Sequence, residues 1–370
     1  MNYIFVVQGE GRGHFTQALS LKEMLERNGH TVKAVMVGCS AKRSLPDFFT
    51  RKINTEVIRY QSPNFLPTPK GKGSPLLISI LYNLILLPVY IQSLFTIRNV
   101  IRHKQPDVVI NFYELLCGVT YGVFNPEVPM INVAHQYYFL TPEFHYTGDK
   151  RAQFKLLNLY SRFTALNASK ILALSFRELE TTEFGKIKIV PPLLRKEVIN
   201  YKPKKGNYIH GYMLNSGYAT ELTRWSKSNP NQELHFFWDK KNAREKEMPS
   251  PTLTLHKLSD TLFLKYMAGC KAYATTGGFE SVCEAMYLQK PVLMVPTHIE
   301  QECNVLDAIQ SNAGVSANEF ELDLLLEFIP KYNRTLEFRY WIHSSESYFL
   351  TELTCIEPQR SSSLIISRTL

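Results

Sequence analysis

What the 370-residue chain lacks narrows its chemistry first. Its six cysteines, at 39, 117, 270, 283, 303 and 355, form no CxxC pair and no cysteine–histidine cluster at zinc spacing. Structural zinc and a disulfide framework are therefore not expected, and reduced core thiols are. No DxD-type metal motif occurs, and no glycine loop closes on Lys-Ser/Thr as a Walker loop does. Acids are the scarcer charge, 33 against 42 lysines and arginines, for a net charge of +9. That balance suits anionic partners, a phosphorylated ligand or an anionic membrane surface. No arginine-rich tail and no basic helix interleaved with aromatics accompanies it, so nucleic acid is not expected as a partner. The first apolar run, near residues 3–7, is too short for a signal peptide. A cytoplasmic protein is expected, and the glycan-acceptor patterns at Asn167 and Asn333 carry no weight.

What is present is alternation. Apolar strand patterns at 4–7, 31–37, 107–112, 129–134 and 170–175 are separated by helical patterns at 15–28, 89–104, 115–123 and 150–167. Repeated βα wiring of this kind predicts a parallel sheet covered on both faces. The polar, basic run KEVINYKPKKGN at 196–207 predicts a linker. A second βα series follows, with strands in YIHGYML, ELHFFW, LTLHKL, AYATT and PVLMVP and helices at 218–227, 260–268, 279–288 and 300–311. The expected organisation is α/β, with two Rossmann-like domains at 1–195 and 208–330 and a C-terminal extension at 331–370 ending in a loosely ordered tail. Two such halves imply a cleft between them, where a ligand binds.

The first strand runs into Gly9-Glu10-Gly11-Arg12-Gly13-His14. Glycines on a strand-to-helix turn let backbone N–H groups approach a ligand, and a helix start favours negative charge. The spacing is one residue short of the dinucleotide fingerprint, and the second strand ends VMVGCS with no acid for a ribose, which argues against NAD. His14, in the first helical turn, is either a packing or capping residue or a base that takes a proton from a hydroxyl. Glu10 and Arg12 either orient a substrate or pair with each other.

The most informative run is AYATTGGFESVCEAMYLQKPVLMVPTHIEQECN at 272–304. A strand ends at Thr275-Thr276, Gly277-Gly278 turn sharply, and a helix opens at Phe279 with Ser281 in its first turn. Amides and dipole there suit a diphosphate. Glu284, one turn on, suits a ribose diol, and Glu300-Gln301 at the next helix start suit sugar hydroxyls. The order GG-x-x-S-x-x-E, then P-x-x-x-E-Q-x-x-N at 296–304, is hard to reach by chance.

With these motifs the chain resembles the GT-B glycosyltransferases, in particular the group holding the UDP-N-acetylglucosamine transferase of lipid II synthesis (MurG) and the UDP-glycosyltransferases. QPDVVINFYELL at 105–116, VPMINVAHQ at 128–136, ASKILALSF at 168–176 and VPPLLR at 190–195 fall in that family's order. The resemblance implies a UDP-type nucleotide sugar in the C-terminal half and an acceptor in the N-terminal half, whose loop holds Glu10, Gly11, Arg12 and Gly13. It implies Gly277, Gly278 and Ser281 facing the diphosphate, with Phe279 and Glu280 also among the donor-binding residues, Glu284 on the ribose, Glu300 and Gln301 on the sugar, and the Leu258 backbone on the base. Asn215, Ser216 and Gly217 take the place of a family glycine loop with fewer glycines, and Arg195 matches a family arginine loosely. Glu280 is anomalous, since an acid beside a diphosphate repels it.

Residues 74–97 carry no charge, yet polar residues recur at helical spacing and Pro88 interrupts the run. Core helices or a membrane-resting surface, flanked by Lys70, Lys72, Arg98, Arg102 and Lys104, fit better than a span. The expected activity is inverting transfer of a sugar from a nucleotide diphosphate, with UDP expected, to a hydroxyl of a lipid or lipid-linked acceptor at the inner membrane face. His14 is the expected base, and neither metal nor cofactor is expected. The alternatives are a UDP-GlcNAc 2-epimerase-like enzyme and a non-catalytic nucleotide-sugar-binding subunit.

Overall fold

Largely apolar runs build the centre of the first sheet. β1 (Asn2–Gln8), β2 (Thr31–Cys39), β3 (Val57–Gln61), β4 (Val108–Phe112), β5 (Met130–Ala134), β6 (Lys170–Leu174), β7 (Glu183–Phe184) and β8 (Ile187–Val190) pair in the order β3-β2-β1-β4-β5-β6-β8-β7. All pairings are parallel except the edge pair β7–β8. Burial on both faces explains why β4 and β5 read as apolar runs, each interrupted once by a buried, hydrogen-bonded asparagine, Asn111 and Asn132. The computed structural model describes residues 1–41, 43–64, 82–214, 216–238, 240 and 243–354.

A second sheet repeats the plan. β9 (Ile209–Met213), β10 (Leu234–Trp238), β11 (Lys246–Ser250), β12 (Leu253–Lys257), β13 (Ala272–Thr275), β14 (Val292–Met294) and β15 (Gly314–Ser316) pair as β11-β12-β10-β9-β13-β14-β15. Only β11, on an edge, is antiparallel to its neighbour. In both sheets the strand order reverses once near the middle, between β1 and β4 and between β9 and β13. The loops leaving the carboxyl ends of those strands border a crevice, where ligands of doubly wound sheets bind.

Two segments are more ordered than their composition shows. The stretch 196–207, expected as a linker, is tied down: Lys196–Asn200 is a short helix with Val198 wholly buried, and the Lys204 carbonyl accepts from Lys290 Nζ at 2.6 Å. Beyond residue 331, the helices Glu337–His343 and Ser345–Thr354 return to the first sheet. There Trp341 Nε1 donates to the Ser175 carbonyl at 2.9 Å, and Lys170 pairs with Glu352. The tail at 355–370 lies outside the described residues, as does the part of the uncharged run at 74–81.

The rest of that run opens the helix Leu87–Lys104, with Pro88 in its first turn, where a missing N–H costs nothing. This helix packs on Leu115–Phe124, which packs in turn on Arg151–Thr164. The three helices hold no aspartate or glutamate. Ile91, Phe95, Val123, Leu156, Leu159 and Phe163 are exposed on them, with Leu84 and Ile85 just before, and Arg102, Arg151, Lys155 and Arg162 lie alongside. Among the described residues no helix is long and apolar enough to cross a membrane.

Candidate active site between the two sheets

The turn after β1 delivers His14 to the first crevice, at the start of the helix Gly13–Arg27. The ring is half-buried and stacks on that of Tyr113, 5.8 Å between centroids with the planes 25° apart. Tyr113 follows β4 with φ of 61°, a left-handed conformation costly for a bulky side chain, and its hydroxyl meets Ser161 Oγ at 2.7 Å. His14 Nδ1 lies 3.1 Å from Gln17 Oε1. With Nδ1–H donating there, the Nε2 lone pair is left to accept a proton. Burial lowers the His14 pKa, opposed by the charge of Glu300 and by the Gln17 hydrogen bond, so the imidazole is neutral at neutral pH.

The turn after β13 delivers Gly277 and Gly278 to the second crevice. Gly277 has φ of 82°, and a Cβ there would lie 2.8 Å from Val305 Cγ2, so the turn admits only glycine. Its carbonyl accepts from Asn304 Nδ2 at 3.1 Å. Gly278 caps the helix Phe279–Tyr287, whose first N–H groups have no partner within the helix, and Ser281 Oγ donates back to the Gly278 carbonyl at 3.2 Å.

The two turns face each other and touch. Gln17 Nε2 donates to Glu280 Oε1 at 2.5 Å, and Gln136 Nε2 donates to Glu300 Oε1 at 2.9 Å. Phe279 stacks on His135 with centroids 4.0 Å apart. At the far edge of the contact, Arg177 Nη1 pairs with Asp307 Oδ1 at 2.6 Å, and burial pushes that carboxyl up to about 7.

Several of the expected site residues have partners within the protein. The glycines of the first turn do not all clear room for a ligand. A Cβ on Gly9 would strike Val37 and Cys39 of β2, and one on Gly13 would lie 3.0 Å from Glu280 Cγ; Gly11 alone of the three faces open space. Glu10 accepts from the Ser40 amide at 2.6 Å, and the Arg12 guanidinium lies 5.0 Å over the Phe48 ring. Glu284, expected on a ribose, is 2% exposed and accepts from Arg195 Nε at 2.6 Å. Gln301, expected on the sugar, spends its amide on Thr297 and on Thr276 Oγ1, tying two turns together. The Leu258 N–H is taken by the Trp238 carbonyl. Ser216 and Gly217 lie in a short turn after β9, at the second crevice, and Asn215 is outside the described residues. Burial pushes the Glu280 carboxyl up to about 8, with Gln17 opposing, which weakens the repulsion expected of an acid at that turn. Tyr113, Gln17 and Gln136 were not legible as site residues; only the position of Tyr113 at a strand's carboxyl end marked it.

Two doubly wound sheets whose glycine turns meet across their switch points are the GT-B architecture. The chain belongs to glycosyl transferase family 1, whose sequence profile matches residues 1–332. Among solved structures, the calicheamicin glycosyltransferase CalG4 is similar at 14% identity and a TM-score of 0.64, covering 95% of this chain and 97% of that one. UGT2 of Phytolacca americana, complexed with UDP-2-fluoro-glucose and pterostilbene, is similar at 13% identity and a TM-score of 0.62, covering 95% and 98%. MurG of Acinetobacter baumannii is similar at 12% identity and a TM-score of 0.55, covering 96% and 99%. No curated protein matches the chain significantly.

Proposed function

We propose that the protein moves a sugar from a UDP-type nucleotide diphosphate to a hydroxyl of a lipid or lipid-linked acceptor, in one displacement with inversion. The observation that carries this reading is the meeting of His14 and the Gly277–Gly278 helix start at one point between the lobes, linked through Gln17 and Glu280. His14 Nε2 takes the acceptor's hydroxyl proton as that oxygen bonds to the anomeric carbon. The bond from that carbon to the diphosphate oxygen breaks, and the departing charge faces the amides of residues 279–281. Glu300 reaches the same gap and presents a carboxylate to the sugar. Donor specificity is read by a thermal-shift panel: a UDP-sugar raises the melting temperature by mass action, and no response to any nucleotide sugar removes the reading. Product that forms only when acceptor is added separates transfer from epimerisation.

The acceptor class is supported by the three-helix face, which offers apolar side chains among cations and holds no acid. Liposomes containing anionic lipid are expected to carry the protein in flotation, and neutral liposomes far less. Replacing Ile91 and Phe95 by Ser is expected to lower the lipid-bound fraction by more than tenfold, since at ~0.8 kcal/mol per buried methylene the loss of two methylenes alone accounts for a factor of about ten. Equal recovery without any lipid would remove the membrane surface from the proposal.

A further inference from the structure

We infer that Glu280, in the second lobe, selects the base-competent tautomer of His14 in the first lobe by fixing the amide of Gln17. The inference rests on His14 being the base of the proposed transfer. It concerns positioning residues: neither Gln17 nor Glu280 need touch the reacting atoms.

The geometry is a chain of two hydrogen bonds between lobes. Glu280 Oε1 accepts from Gln17 Nε2 at 2.5 Å, and Gln17 Oε1 lies 3.1 Å from His14 Nδ1. An amide has one donating and one accepting end, and Gln17, 3% exposed, has little water to exchange with. While its NH2 group is held by Glu280, its carbonyl faces His14 and demands the proton on Nδ1. Nε2 is then a lone pair and can act as a base. With the amide reversed, its NH2 would face Nδ1, the proton would move to Nε2, and the ring could not accept one there. The Glu280 proton has a place that leaves this arrangement intact: Oε2 is buried and has no hydrogen-bond partner among the described residues, so a proton there keeps Oε1 as an acceptor.

Two further features are built for this contact. Gly13 lets it form, since any side chain there would meet Glu280 Cγ at 3.0 Å. Glu280 lies in the first turn of the helix that follows Gly277–Gly278, the turn assigned to the diphosphate. The base is thus set in its working form by the lobe that binds the donor, and only when the two lobes meet. Separating them releases Gln17 to either orientation.

The test reads the tautomer directly. In protein labelled with ¹⁵N-histidine, His14, assigned by its loss in His14→Ala, is expected to show a protonated Nδ1 and a bare Nε2. In Glu280→Ala the two tautomers are expected to mix, with kcat falling in proportion to the Nδ1–H fraction that remains, about two- to fivefold, and the donor KM within about threefold. In Gln17→Glu/Glu280→Ala a carboxylate accepts from Nδ1–H without help from the second lobe, and both the tautomer and most of kcat are expected to return. A packing role alone predicts loss in both variants. Glu280→Leu, which keeps the volume, carries the comparison should Glu280→Ala fail to fold. An unchanged tautomer in Glu280→Ala, or a protonated Nε2 in the parent, overturns the inference. The spectrum needs no turnover, so that outcome leaves the transferase reading standing, whereas full activity in His14→Ala removes the reading whatever the tautomer.

Discussion

Replacing His14 by alanine is expected to cut sugar transfer by ~10²–10⁴-fold, the range a positioned general base contributes, while nucleotide-sugar affinity stays within about twofold. The split follows from position. His14 lies on the first lobe beside Tyr113, whereas the turn assigned to the diphosphate belongs to the second. A group that acts only on the acceptor's proton lowers kcat and kcat/KM together and leaves donor binding alone. The pH profile carries a second check. Burial lowers the His14 pKa, with Glu300 and Gln17 opposing, so the acid limb of kcat/KM is expected below pH 6.5. Glu300→Gln removes a charge that favours the imidazolium, and the limb is expected to move to lower pH still. A limb above pH 6.5, or one that Glu300→Gln moves upward, would mean that another group titrates. The measurement is initial rate against pH with donor and acceptor varied separately.

The architecture was legible because its signals are local. IFVV, VVINF and MINVA are too apolar for any place but a strand covered on both faces, and each is followed within a few residues by a helical pattern. The Gly277–Gly278 turn was legible because a left-handed backbone and close packing against Val305 leave glycine no substitute. What failed to read was whatever lacks a period or depends on the other lobe. β11, Lys-Glu-Met-Pro-Ser, is an edge strand whose proline and charges hide it. The returning helices do carry apolar residues at helical spacing, Phe338, Trp341 and Ile342, then Phe349 and Leu353, but nothing in their sequence says which sheet they cover. Gln17 and Glu280 are 263 residues apart, and no local pattern distinguishes a glutamine that holds an imidazole from one on a solvated helix face. Separations of 89 and 130 residues likewise hide the ion pairs that Glu284 makes with Arg195 and Asp307 with Arg177.

Arg195→Ala is expected to destabilise the fold by ~3–5 kcal/mol, the cost of leaving a buried ion-pair partner uncompensated. Arg195 ends the first lobe's chain and reaches into the second. Its Nε donates to Glu284 Oε1 at 2.6 Å and its Nη1 pairs with Asp260, at the first turn of the helix Asp260–Gly269. The Glu284 side chain is 3% exposed, so water cannot replace the guanidinium once it is gone. Burial already holds the Glu284 carboxyl above its ordinary value, with Arg195 pulling it back, so the variant's carboxyl should rise further. An acid whose folded pKa is raised binds its proton more tightly when folded, so the stability it contributes is lost as pH rises from the unfolded value toward the folded one. The deficit of Arg195→Ala relative to the parent is therefore expected to grow between pH 5 and pH 8, read from denaturant midpoints at constant ionic strength. Arg195→Ala/Glu284→Gln removes the stranded charge and is expected to recover about half of the loss, with a coupling of ~1–3 kcal/mol in the double-mutant cycle. A loss under ~1 kcal/mol, or one independent of pH, would mean that the ion pair with Arg195 does not hold the Glu284 carboxylate in the folded protein.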